Sequence, residues 1–231
     1  MTITDLRSLP LVFVDDLDRP QLDENDHRHL SRSLRIRAGE PVALSDGRGR
    51  WRRAELGSTE EPTALGPVNR CPRPTELTVG FALVKSDRPE IIVQKLTELG
   101  IGRIIPMTTQ RTAVRWDGDK VERNHGRHRR IVREAAMQSR TVWMPEVWAL
   151  TPLSDVVNRF PRAALAEPGR PILGQDPLET VPIEVLVGPE GGFTEAELSD
   201  RPTVGLPGNI LRTETAAIAA GVVLALTASR G

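Results

Sequence analysis

The 231-residue chain carries 31 basic and 31 acidic side chains, so net charge offers no case for a polyanionic partner, while 39% hydrophobic residues suffice to bury a core. One cysteine rules out an internal disulfide framework and supplies too few thiolates for a structural zinc site or an iron–sulfur cluster. No stretch reaches about 18 consecutive apolar residues, and the opening MTITDLRSLP lacks an apolar signal core, so a cytoplasmic protein without a membrane span is expected.

Neutrality conceals an uneven charge distribution. Residues 28–53 hold eight arginines against Glu40 and Asp46, and residues 103–140 hold ten basic groups against four acidic ones. A polyanion can meet two local basic surfaces on a neutral molecule; the plainer alternative is a solvated arginine-rich face. In chain order, Leu11–Val14 reads as a short strand, and His27–Ile36 as a basic helix with Leu30 and Leu34 on one face. The runs 41–45 and 51–56 read as strands flanking the Asp46-Gly47 turn. The proline-rich stretch 57–75 suits a boundary better than a core element, which predicts domains over 1–72 and 73–231.

Beyond the boundary, strand-like and helix-like runs alternate. The strand 78–84 precedes Asp87, an N-cap candidate with Glu90 three residues on, and then Ile92, Leu96 and Leu99 at helical spacing. A strand over 101–107, a basic helix over 121–137 and a strand over 181–187 follow, with Thr194 and Glu197 spaced as a capping box. The run 215–226 is nearly all alanine and aliphatic, which predicts a helix buried on most sides. The pattern is that of an α/β domain whose parallel sheet is covered by helices, with ligands at the loops leaving the strand C-terminal ends.

Two loops carry chemistry. In Val187-Gly188-Pro189-Glu190-Gly191-Gly192-Phe193 the glycines allow a sharp turn and close backbone approach to a ligand, and Glu190 can accept hydrogen bonds. It is neither a dinucleotide fingerprint nor a phosphate-binding Walker loop. In Leu206 to Thr215, four successive polar side chains from Arg212 to Thr215 are poorly explained as core filling; helix capping by Thr213 is the alternative.

These loops, GPEGG and LRTETAA, together with ALVKSDR (82–88), QKLTELG (94–100), RIVREAAMQS (130–139), His29-Leu30 and Leu34-Arg35, give the chain its resemblance to the bacterial 16S ribosomal RNA (uracil N3) methyltransferases of the SPOUT superfamily. The similarity spans roughly residues 27–228. Gln110-Arg111-Thr112 stands where the family usually has an acidic residue, arginine and serine, Arg140 stands where glycine is frequent, and tyrosine is absent. The resemblance implies a small PUA-like β-barrel followed by a trefoil-knotted parallel-sheet domain, a topology that general connection rules would reject.

It further implies that S-adenosylmethionine binds among Thr108, Leu186, Val187, Gly188, Glu190, Gly191, Gly192, Leu206, Gly208, Ile210 and Leu211, with no metal. Arg212 is the expected electrostatic helper for the uracil, with Glu214 orienting it or moving a proton, and Glu190 either accepting a proton or orienting the cofactor. Substrate contacts are expected from His29, Arg32, Arg35, Arg37, Arg111, Arg127, Arg129, Arg130, Arg133, Gln138 and Thr213, with local packing an equal alternative for His29. The implied partners are 16S rRNA in the assembled small ribosomal subunit, rather than DNA or a membrane, and a second copy of the chain. A catalytically inactive RNA-binding protein and a ribose 2'-O-methyltransferase are the competing readings.

Overall fold

The computed structural model describes residue 6 and residues 8–33, 35–85, 87–175 and 182–228. Leu34, Ser86 and Val181 lie outside the described residues, as does the side chain of His29. The chain divides into two compact units, one running up to Pro74 and also taking in Ala136–Met144, the other comprising Thr75–Ala135 and the chain from Pro145 onward.

The first unit is built on a four-stranded sheet in the order β1 (Leu11–Phe13), β2 (Pro41–Ser45), β3 (Arg50–Glu55), β4 (Thr63–Arg70). The first pair is parallel and the others antiparallel. Strand β4 corrects the expectation that 57–75 holds no regular element. It is an edge strand, so the missing N–H of Pro67 interrupts no ladder on the open side, and the register shift against Trp51 and Arg53 absorbs the irregularity. The expected basic helix also starts earlier: α1 is Glu24–Arg28, because the Asp23 carboxylate accepts the Asp26 N–H at 2.7 Å, and it passes into a π-helical turn over His29–Ser33. That turn carries Leu30, 1% exposed, into a core with Val12, Val42, Leu44 and Leu56.

Ala136–Met144, which a 73–231 domain would contain, belongs to this unit. Ala136 and Val142 pack with Leu11, Phe13 and Trp51, and the Trp143 indole N–H donates to the Pro72 carbonyl at 2.9 Å. Its ring lies so close to Gly49 that a Cβ there would sit 2.3 Å from a ring carbon, a contact only glycine permits.

The second unit is a parallel sheet in the order β11 (Thr203–Val204), β9 (Ala164–Ala166), β10 (Glu184–Val187), β5 (Thr78–Ala82), β6 (Arg103–Thr108), β7 (Glu146–Val147), with β8 (Thr151–Pro152) also pairing β6. Its helices are α2 (Arg88–Glu98), α3 (Gly118–Ser139, whose last four residues fall in the first unit), α4 (Leu153–Arg159), α5 (Glu195–Leu198) and α6 (Thr213–Ala228). Strands β5, β6 and β10 are buried along nearly their whole length, as unbroken apolar runs in a parallel sheet require.

Asp87 precedes α2 without a side-chain capping bond; a proline in the first turn starts the helix instead, and Glu90 pairs with Arg127 at 3.2 Å rather than closing a capping box. The Thr194–Glu197 capping box is present in both directions. The final helix begins two residues earlier than its apolar run, so Thr213 and Glu214 lie in its first turn. It is also less enclosed than expected: Val222 and Leu226 are 39% and 57% exposed.

Helix α3 buries one ionisable group. His128 is 1% exposed, its Nε2 has no hydrogen-bond partner among the described residues, and its ring centroid lies 6.1 Å from that of Trp116. Burial, aided by the nearby positive charge of His125 and Arg127, pushes its pKa down from 6.5 to about 4. The unfolded chain therefore takes up more protons between these values, so stability is complete above the unfolded pKa and falls as pH drops toward the folded one. By pH 5 the loss should be about 2 kcal/mol. Chemical denaturation at neutral pH and at pH 5 should show it for the native protein, and His128→Leu should remove that share of the pH dependence. An unchanged pH dependence would contradict a buried neutral imidazole.

Candidate active site

Strand β10 ends in the glycine loop and β11 ends just before the 206–213 loop. A cavity of about 800 Å³ opens at these strand ends, lined by Val187, Gly188, Pro189, Glu190 and Gly192 from the first loop and by Leu206, Gly208, Asn209, Ile210, Leu211, Thr213 and Ala216 from the second. A third wall, Ala166–Arg170 with Ile172 and Gly205, comes from the end of β9 and its return beside β11. The location at the carboxyl ends of parallel strands is where open α/β sheets bind ligands.

The loops are held by specific bonds. The buried Thr213 hydroxyl donates to the Gly188 carbonyl at 3.0 Å, joining the first turn of α6 to the glycine loop. The Arg111 guanidinium donates to the carbonyls of Gly191 at 2.7 Å and Phe193 at 3.1 Å, closing the loop from its outer side. The Gly192 N–H donates to the Pro189 carbonyl at 2.8 Å, and the φ of +69° at Gly192 is the left-handed value such a tight turn demands. Gly205 is fixed more severely: a Cβ would lie 2.2 Å from the Arg170 carbonyl oxygen. At Gly191, by contrast, a Cβ would meet only Arg111 atoms at ordinary contact distance, so the strictest demand for glycine falls elsewhere in the site.

Nine expected site residues line the cavity: Val187, Gly188, Glu190, Gly192, Leu206, Gly208, Ile210, Leu211 and Thr213. Three expected cofactor contacts are not among its lining residues. Leu186 is fully buried inside β10, Thr108 ends β6, and Gly191 faces Arg111. Arg111 and Thr213, expected to touch substrate, donate to backbone carbonyls of the glycine loop. Arg212 is exposed between two lining residues, and Glu214 flanks them; neither lines the cavity itself. The expected pairing of Glu214 with Arg212 is replaced by one with Arg88, which also approaches Glu190.

Of the expected RNA contacts, Arg32, Arg35, Arg37 and Gln138 are exposed in the first unit, and Arg127, Arg129 and Arg130 are exposed on α3, with Arg133 half-buried there. Arg35 has φ +57°, an unusual left-handed conformation for a residue with a side chain. Sequence reasoning missed the Ala166–Arg170 wall, Gly205, Ala216 and Arg88; the faint signal for the wall was the short run 163–166 ahead of Glu-Pro-Gly.

A family model described as an RNA methyltransferase domain matches residues 71–225, and one described as an RNA methyltransferase PUA domain matches residues 22–64. A Mycobacterium bovis protein named ribosomal RNA small subunit methyltransferase E is 31% identical over 225 residues, with 89% of this chain and 86% of that one covered. The chain belongs to this methyltransferase family. A Bacillus subtilis protein of the same name is 29% identical over 211 residues, covering 81% of this chain and 82% of the relative. The structure of a family member from Neisseria gonorrhoeae bound to S-adenosyl methionine matches with a TM-score of 0.78 at 29% identity, covering 93% of this chain and 96% of that one. The first unit is accordingly PUA-like and the second carries an RNA methyltransferase domain.

The chain's departures from the family pattern have local physical accounts. Thr112 supplies the hydroxyl a serine would: its Oγ1 accepts the Thr109 N–H at 2.8 Å. Gln110 uses its backbone N–H, donating to Glu197 at 2.8 Å, so its side-chain type is less constrained. Arg140, where glycine is frequent, has φ +57°, the conformation glycine adopts without strain, and its guanidinium Nε donates to the Leu9 carbonyl at 2.9 Å.

Thr213→Val keeps side-chain shape but removes the donor to Gly188. Leaving that buried carbonyl unpaired should lower stability by about 1–3 kcal/mol, read as a shift in denaturant midpoint. A midpoint that stays put would mean the two loops do not depend on this bond.

Proposed function

We propose that this chain transfers a methyl group from S-adenosylmethionine to N3 of a uridine in 16S rRNA of the small ribosomal subunit. The observation that carries the reading is the convergence of the glycine loop and the 206–213 loop on one cavity. Its volume suits a ligand of nucleoside–amino acid size, and its lining combines an apolar wall of Ile210 and Leu211 with exposed backbone edges at glycines. The residues therefore fit the cofactor. Val187, Gly188, Gly192, Leu206, Gly208, Ile210 and Leu211 would hold it, with the wall at Glu167 and Gly205 enclosing the other side.

When bound, the sulfonium supplies an electrophilic methyl group, so no metal is required to activate it. The chain's own task is the nucleophile. Uracil N3 is a protonated imide, engaged in base pairing until the base is unpaired or flipped, so the site must hold it in line and remove its proton. Glu190 and Glu214 are the carboxylates at hand. Arg212, exposed at the loop leading into α6, is placed to meet the uracil oxygens on which charge develops, whereas its own high pKa makes it a poor base.

Phosphate contacts from Arg32, Arg35 and Arg37 and from Arg127, Arg129, Arg130 and Arg133 position the RNA without reading the uridine. The domain reading takes 1–72 as the RNA-binding module and 73–231 as the methyltransferase, supported by the family matches over 22–64 and 71–225. The active form is a homodimer. Its apolar face includes Val222 and Leu226 on α6, exposed side chains whose burial a second copy would provide. The trefoil knot and a cytoplasmic location complete the proposal.

Radiolabelled transfer to small subunits lacking the modification, followed by mass spectrometry of nucleosides, should yield N3-methyluridine; a ribose-methylated product, or RNA binding without transfer, would contradict it. Arg212→Ala should slow single-turnover transfer on the order of a hundredfold, with cofactor affinity little changed. Reversing the charges of Arg129 and Arg130 should weaken RNA binding and flatten its dependence on salt. Equal salt slopes would argue against phosphate contact.

A further inference from the structure

The two carboxylates called on for proton removal share a partner that the sequence reading gave no role. Arg88, the first residue of α2, brings one guanidinium nitrogen, Nη1, to 3.8 Å from Glu190 Oε1 and 3.5 Å from Glu214 Oε1. One glutamate comes from the glycine loop that lines the cavity, the other from the first turn of α6 beside Thr213. A single nitrogen thus gathers two acids from the two segments on which the site depends.

The second oxygen of Glu214 is the notable atom. Glu214 is only 20% exposed at its side chain, and Oε2 is buried without a hydrogen-bond partner among the described residues. A buried carboxylate oxygen without a donor is costly, and it calls for a structural or chemical reason. Helix capping does not account for it, because no backbone N–H donates to Oε2 among the described residues. Nor does Arg88 serve the start of its own helix through Asp87, which makes no side-chain cap.

We propose that Arg88 is a positioning residue for methyl transfer: its guanidinium holds Oε1 of both glutamates, leaving Glu214 Oε2 to accept the uracil N3 proton. This deepens, and rests on, the methyltransferase reading. The N3–H bond breaks as the O–H bond forms on Oε2. The N3 electron pair forms the bond to the methyl carbon, and the carbon–sulfur pair leaves with sulfur. A neutral thioether, a methylated uracil and a carboxylic acid result, and the acid returns its proton to water once the product departs.

The test uses the full-length protein as Arg88→Met, Arg88→Lys, Glu214→Gln and Arg88→Met/Glu214→Gln. Arg88→Met should slow single-turnover transfer to small subunits by about 10- to 100-fold, the usual consequence of misplacing a reacting group, while the dissociation constant for S-adenosylmethionine by calorimetry stays within about twofold. Arg88→Lys keeps the charge and should recover most of the rate. Because Arg88 acts through Glu214, the double variant should be no slower than Glu214→Gln alone. A crystal structure of Arg88→Met should show the Glu214 carboxylate displaced.

An unchanged rate in Arg88→Met, losses that multiply in the double variant, or a Glu214 carboxylate that has not moved would each overturn the proposal. If the native protein methylates no small-subunit RNA, the functional reading fails by itself. The position of the Glu214 carboxylate in the variant crystal still decides whether Arg88 holds it.

Discussion

The hydrogen bond from the buried Thr213 hydroxyl to the Gly188 carbonyl is the constraint on which the site depends. It spans 25 residues of sequence and ties the buried end of β10 to the start of α6. Around it, Arg111 fixes the far side of the glycine loop and Glu197 receives the Gln110 N–H. The cavity between the two loops is thus framed by bonds that use backbone carbonyls and amides as much as side chains. Such a frame can present backbone edges to a cofactor at small ordering cost, because its loops are already restrained. Polar residues that touch the cavity without being consumed by the frame, Glu190 above all, are then free for chemistry.

Several residues expected as ligand contacts belong to this frame. Arg111 and Thr213 are polar residues in motif loops, and from sequence they are indistinguishable from substrate ligands; only their carbonyl partners show that they build the site. Arg212 is the opposite case, an exposed cation beside two lining residues and available to an arriving polyanion. The chain also tolerates local strain where other bonds compensate it. Arg140 occupies a glycine-like conformation while its guanidinium is held by the Leu9 carbonyl.

Much of the fold was legible because the signals were local. Apolar runs marked β5, β6 and β10, spacing marked α2, a basic run marked α3, and a capping box marked α5. What escaped was set by distant partners. Strand β9 has three residues, too few for any periodicity, and it exists because neighbours complete its ladders. Strand β4 carries a proline and a glycine that read as breakers, yet an edge position accommodates both. Ala136–Met144 looked continuous with the second domain along the helix and packs in the first unit through Val142 and Trp143. Arg88 lies more than 100 residues from the glutamates it approaches, so its role was invisible to spacing.

The most direct test of the central claim is a crystal structure with S-adenosylmethionine bound. The account predicts the cofactor between the 187–193 and 206–213 loops, its adenosyl portion against Ile210 and Leu211 and its methyl group on the side of Glu190 and Glu214. Cofactor bound at another surface, with these two loops still joined through Thr213 and the cavity between them empty, would contradict it.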